Sequence, residues 1–432
     1  KYKRDNRKRY GKQFQNLNKE IGELIRISRQ KGNMQQEIQI LNAIRKGFPA
    51  RKISKGATAE FFKLNERKLE ALIEALCTIP APLGQEWARA EFVQDWLNGN
   101  GLTGSWIDRS GNVIFPYSCN SEKYIAFTAH MDTVFPETEP FPFVREGTIA
   151  KCPGIGDDTA NMAALMLAAR WVVQQRLCFP YSLLFVWDTG EEGLGNLNGV
   201  RGLMEDYADR IAALVALDGV YPGLIDGAVG SVRWRIRAKT SGGHSFRNFG
   251  SPNAIERMAA LIGALYAQPL PDAEGARTTF NVGSIAGGTS VNTIAQACEI
   301  LYEVRSDSAA ALNAMECALN ALVRDAQQRG GVDFSCEEIG LRPASGARAE
   351  GQDALESHWK RAVQAVLPGQ EVRSTDCNIP LSMAIPAMCV GAYRGGAAHT
   401  REEWIDCASL STGYALLLHL FHSFAQEDQQ FL

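Results

Sequence analysis

At 432 residues the chain is too long for one ordinary core, so at least two domains are expected. Apolar residues make up 45% and charged residues 22%, with a net charge of −3, as in a soluble globular protein with no electrostatic pull toward nucleic acid. No apolar run approaches the ~20 residues of a membrane span, and the ten cysteines are scattered without a CxxC, a pattern of reduced cytoplasmic thiols rather than of a disulfide framework.

Residues 1–31 carry eleven Lys/Arg against three Asp/Glu and read as a solvated, helical extension reaching to about residue 60. A helical pattern runs from Gln35 to about Ala75, and Ile79-Pro80-Ala81-Pro82 breaks it. Glu86 to Leu97 reads as a further helix, and Gly104 to Phe115 as strand, turn, strand. Tyr124 to Phe127, Tyr181 to Trp187 and Ile211 to Leu217 are short apolar runs of buried-strand type. Helical patterns at Thr159 to Gln175 and around Leu203 to Asp209 separate them, which predicts an α/β domain with a mostly parallel sheet. After about Gly227 the pattern changes: Val232, Trp234, Ile236 and Ala238 alternate with basic residues, a half-buried strand. A helix with Ser251 as N-cap and Pro252 at its first position is expected next. Strands at Thr278 to Ile285 and Ala297 to Val304 follow, then a helix over Ala309 to Gln328. This is an inserted α+β domain, an antiparallel sheet with two helices, over 228–342; the α/β domain occupies 61–227 and 343–432.

Five segments carry candidate chemistry. Thr128-Ala-His130-Met-Asp132-Thr133 follows the first buried strand, so His130 falls at a strand end, where ligands gather in such sheets. Alone, His-x-Asp also describes a satisfied structural histidine. Gly154-Ile-Gly-Asp157-Asp158 stands at a helix entry, where paired carboxylates are also ordinary N-caps. Asp188-Thr-Gly-Glu191-Glu192-Gly193 closes a strand, Asp218 ends another, and His399 lies in a small-residue loop. Together they supply two His and several carboxylates. Two divalent ions ~3.5–4 Å apart need a bridging carboxylate, terminal N and O donors, and a base for the bridging water. Zinc suits imidazole and carboxylate without cysteine, with Co2+ or Mn2+ as alternatives.

These motifs, in this order, resemble the M20 family of co-catalytic zinc exopeptidases and deacylases, from about Ile79 to the end. The resemblance implies that His130 and Asp218 bind one zinc, Glu192 and His399 the other, and that Asp157, the Asp of a Gly-x-x-Asp motif, bridges them. It makes Glu191 the general base and Asp132 the residue that orients His130. The family's peptide bond after the bridging Asp is often cis. By the same resemblance the inserted domain is a lid, through which members form homodimers. Gly243-His244-Ser245 matches the segment whose histidine stabilises the oxyanion, Gly287-Gly288…Asn292 the segment whose Asn contacts substrate, and Glu303-Val304-Arg305 the strand with a substrate-facing arginine. Arg394 is a further carboxylate-binding candidate, and Arg305 fits a solvated sheet face equally well. Where the family has Lys-Gly after the bridging motif, this chain has Thr159-Ala160. His358, His419 and His422 match no motif and read as structural.

Members with Asp at position 218 tend to be aminopeptidases or dipeptidases, and Ala398 to Trp404 looks like the peptidase T side. The resemblance therefore implies a zinc exopeptidase for small peptides with a free N-terminus, with an N-acyl-amino-acid amidohydrolase or carboxypeptidase as the alternative. A non-catalytic member would be expected to lose a ligand or the base, and all six are present.

Overall fold

The computed structural model describes residues 56–119, 121–272, 275–363 and 371–426, so the basic extension lies outside the described residues up to Gly56. In chain order the first elements are α1 (Gly56–Cys77), α2 (Trp87–Gly99), β1 (Trp106–Ile107), β2 (Val113–Tyr117), β3 (Tyr124–His130), β4 (Val144–Glu146) and β5 (Ile149–Lys151). Then come α3 (Asn161–Gln175), β6 (Ser182–Asp188), α4 (Asn198–Tyr207), β7 (Ile211–Leu217) and β8 (Ile225–Ala228). The inserted region holds β9 (Gly230–Lys239), β10 (Gly243–His244), α5 (Ala254–Tyr266), β11 (Thr278–Gly287), β12 (Thr293–Ile294), β13 (Ala297–Ser306), α6 (Ala309–Gln328) and β14 (Asp333–Arg342). The described residues close with α7 (Gln352–Val363), β15 (Glu371–Arg373), α8 (Asn378–Ser382), β16 (Ala387–Val390), β17 (Gly395–Gly396), β18 (Trp404–Asp406) and α9 (Cys407–Gln426).

The large sheet has eight strands in the order β1-β2-β6-β3-β7-β16-β8-β15. Its centre is parallel: β3 pairs with β6 and β7, and β7 with β16. Parallel strands covered on both faces read as continuous apolar runs, and β3, β6 and β7 do so because alternate residues enter two different cores. Ile125, Phe127, Leu183, Phe185 and Trp187 pack with α1, α2, α3 and α9. Ala126, Leu184 and Val186 pack on the opposite face with α4 and α8. This arrangement sends β3, β6 and β7 to a shared carboxyl edge, where His130, Asp188 and Asp218 emerge.

The antiparallel sheet β11-β13-β9-β14 has its own core. Val232, Trp234, Ile236, Ile300, Tyr302 and Val304 face Met258, Leu261, Met315 and Leu319 of α5 and α6. The other face carries Arg233, Arg235 and Arg237 paired with Glu303, Glu299 and Glu337. The alternation in β9 is thus half core and half charge ladder. Asn378 Nδ2 donates to Val229 O at 2.9 Å and Pro343 O at 2.8 Å, tying together the two chain crossings between the domains.

Two features differ from expectation. The N-cap of α5 is Asn253, whose side chain accepts from Ile255 N at 2.9 Å, not Ser251. Ala254 N bonds Ala295 O at 2.9 Å, and that tertiary anchor sets where the helix starts. A second four-stranded sheet, β17-β18-β5-β4, was not expected from the sequence; its strands are only two or three residues long and leave little periodicity to read. Among the described residues no helix is long and apolar enough to cross a membrane.

Candidate metal centre

The site forms where five segments, carrying His130, Asp157, Glu191–Glu192, Asp218 and His399, meet at the carboxyl edge of the large sheet. His130 ends β3 and is buried, its Nε2 3.0 Å from Asp157 Oδ1. Asp157 Oδ2 is 3.1 Å from His399 Nε2, and the same nitrogen lies 3.0 Å from Glu192 Oε1. One carboxylate therefore stands between the two imidazoles, with Glu192 on the far side. The Asp157–Asp158 peptide is cis. Among the described residues, three sets of side chains have donor atoms within 4.8 Å of one another: His130 with Asp158 and Asp218, His130 with Glu191 and Glu192, and Asp157 with Glu192 and His399.

Asp132 does more than the sequence implied. Its ring contact to His130 is long, 3.5 Å from Oδ1 to Nδ1, with Asp132 O nearer at 3.1 Å. Its two carboxylate oxygens instead accept Glu191 N–H at 3.0 Å and Glu192 N–H at 2.8 Å. Asp132 thus ties the strand-end histidine to the paired glutamates.

The electrostatics fit a cation site. Burial pushes the Asp218 carboxyl up to about 7, and Asp157 and Glu192 add to the rise. Burial would also raise Asp157, but hydrogen bonds from His130 and His399 pull it below the usual carboxylate range. His399 is pushed up to about 11 by its bonds to Asp157 and Glu192. The cluster gathers more carboxylates than imidazoles, and its donors are a set suited to divalent metals of the zinc type.

Three residues to which the sequence analysis gave no role, Glu403, Asn161 and Arg342, hold these loops. Glu403 is buried and accepts N–H from Gly154 at 2.7 Å, Gly156 at 2.9 Å and Asp157 at 2.8 Å, so it grips the backbone leading to Asp157. Gly154 has φ +75°, and a Cβ there would meet Thr133 Cγ2 at 2.7 Å, so the tight approach requires glycine. Asn161 donates to Asp158 Oδ1 at 2.7 Å and Gly219 O at 3.1 Å and accepts from Ala392 N at 2.8 Å. Arg342 ion-pairs with Glu191 Oε1 at 3.1 Å. Glu403 falls within the Ala398 to Trp404 run, but which backbone it would hold cannot be read from local spacing.

The expected lid residues are not brought to this cluster. His244 is exposed; its Nδ1 accepts Phe246 N–H at 3.2 Å, and its N–H donates to Asn248 Oδ1 at 2.9 Å. Asn292 is exposed and its O accepts Ser245 N–H at 3.0 Å, so the two segments lie together within the lid. Arg305 Nε is 3.0 Å from Glu303 Oε1, on the charged face of the sheet. Arg394 lies with its guanidinium carbon 5.0 Å from the Tyr221 ring centre. His358, His419 and His422 are buried away from the cluster, and burial pushes them down to about 3, 4 and 2.

A mostly parallel sheet carrying a carboxylate–imidazole centre, with an inserted antiparallel domain, defines a hydrolase of the metallopeptidase class. The chain belongs to peptidase family M20/M25/M40, whose model matches residues 126–423. Among its relatives, a succinyl-diaminopimelate desuccinylase of Corynebacterium glutamicum is 24% identical over 357 residues, 80% of this chain and 94% of that one. The fold matches a tripeptidase of Staphylococcus aureus with a TM-score of 0.68 at 20% identity, covering 84% of this chain and 99% of the other. It also matches a dinuclear metal binding peptidase of the M20 family from Bacillus subtilis, with a TM-score of 0.58 at 18% identity, over 83% and 98% of the two chains.

Proposed function

We propose that the protein is a di-zinc exopeptidase that hydrolyses small peptides with a free N-terminus. The observation that carries this is Asp157 standing between His130 and His399, at 3.0 and 3.1 Å, as a carboxylate shared by two metals would. In this reading His130 and Asp218 would hold one ion and Glu192 and His399 the other, with Asp157 serving both. Bound there, the ions would polarise the scissile carbonyl and make a water nucleophilic near neutral pH. Glu191 takes the water's proton and gives it to the leaving nitrogen. Asp132 holds the Glu191–Glu192 backbone and the His130 ring in register. His244, carried in by lid closure or from a partner subunit, donates to the oxyanion, and Asn292 with Arg305 or Arg394 contacts substrate. A homodimer through the lid is part of this proposal. A reducing compartment such as the cytoplasm is consistent with ten unpaired cysteines.

The likeness to a tripeptidase supports the peptide substrate. The desuccinylase relative favours a second reading, hydrolysis of an N-acyl amino acid by the same centre. One assay separates them: zinc-loaded protein offered free di- and tripeptides in one set and N-acyl amino acids in the other, each with and without chelator. Chelator-sensitive release from free peptides is expected; cleavage confined to acylated substrates would replace the first reading with the second. In the same assay Glu191→Gln should keep both metals and lose most turnover, and normal turnover would remove Glu191 as the base.

A further inference from the structure

Arg342 is the last residue of β14, where the chain leaves the lid sheet for the catalytic domain. It is charged yet only 5% exposed. Its Nη1 donates to Glu191 Oε1 at 3.1 Å and to Ser374 Oγ at 2.9 Å. Its Nη2 donates to the main-chain O of Glu191 and, at 3.4 Å, to Gly193 O. One guanidinium thus holds both the side chain and the backbone of Glu191. A buried cation is costly unless it is well paired, and most of this pairing is spent on one short loop. The planar, forked donor set of arginine suits the task in a way that a lysine ammonium does not. The strand that carries Arg342 is itself fixed, because Asn378 holds Pro343 O and Val229 O at the domain crossing.

We propose that Arg342 is the positioning residue of the general base: it directs the Glu191 carboxylate through Oε1, so that Oε2 receives the proton of the attacking water. The inference rests on the reading of Glu191 as the base. A staple that merely joined the two domains would act on stability or on lid-borne substrate binding. A positioning residue acts on turnover, and only while the base is present.

The test is a double-mutant cycle on the full, zinc-loaded chain, with a tripeptide or, if the wild type cleaves only acylated substrates, an N-acyl amino acid. Arg342→Met is expected to lower kcat about 100-fold, the order of loss for a misplaced catalytic group, with KM and bound zinc unchanged. Arg342→Lys keeps the charge and is expected to recover part of that loss; it also provides the measurement if the Met variant does not fold. In a Glu191→Gln background Arg342→Met should add no further loss. Unchanged kcat in Arg342→Met beside an inactive Glu191→Gln would overturn the positioning role alone, as would a loss confined to KM or fully additive losses. A fully active Glu191→Gln would instead remove the base itself, and this inference with it.

Discussion

At the carboxyl edge of the large sheet, His130, Asp132, Glu191 and Glu192 are buried, and hydrogen bonds bind their loops to one another. In the inserted domain His244 and Asn292 stand exposed, and Arg305 pairs with a neighbouring glutamate on its own sheet. The first region is assembled before any substrate arrives: a cation site must gather carboxylates that repel one another, so each loop is pinned by a group from elsewhere in the chain. The second has no such repulsion to overcome. If its residues act, they act when the lid, or a partner's lid, brings them in.

The strongest break of this contrast is His244→Ala. Although His244 lies outside the metal cluster, its loss should cut kcat by about 10²–10³-fold, the usual effect of removing an oxyanion donor, with zinc content unchanged. Steady-state kinetics beside metal analysis reads both. Equal turnover would leave the lid as a cover without a chemical part.

Glu403→Ala probes the pinned region. Three backbone N–H groups would lose a buried carboxylate acceptor, and the loop that presents Asp157 would loosen. Metal affinity should fall about 10- to 100-fold, as for other supporting partners of metal ligands. Zinc titration against a competing chelator measures it, and an unchanged affinity would mean that Asp157 is held without Glu403.

The same contrast explains what could be read in the sequence. His130, Asp157, Glu191, Glu192 and Asp218 each sit in a short motif at a strand end or helix entry and His399 in a small-residue loop, so local pattern marks them as candidates, and the family resemblance supplies the roles proposed for them. The apolar runs of β3, β6 and β7 and the alternation in β9 are equally local. The groups that hold the site in place are not. Glu403 reaches Asp157 across 246 residues, Arg342 reaches Glu191 across 151, and Asn161 meets Ala392 across 231. No periodicity links such pairs; only the fold does. The short sheet β17-β18-β5-β4 escaped for the related reason that its strands owe their pairing to loops meeting in space.

The smallest effect belongs to the lid and concerns a cap that local pattern misplaced. Ser251-Pro252 carries the usual N-cap and N1 residue types, yet Asn253 is the residue whose side chain accepts Ile255 N–H. Replacing a capping Asn by Ala typically costs about 1 kcal/mol. Because the cap serves α5 and touches no residue of the metal cluster, that cost should appear as faster amide exchange in the first turn of α5, about fivefold if opening is local, with turnover and metal content preserved. Ser251→Ala should leave exchange there unchanged. If instead Ser251→Ala loosens the helix and Asn253→Ala does not, the helix starts where the sequence pattern put it, and the Ala254–Ala295 bond is not what sets its entry.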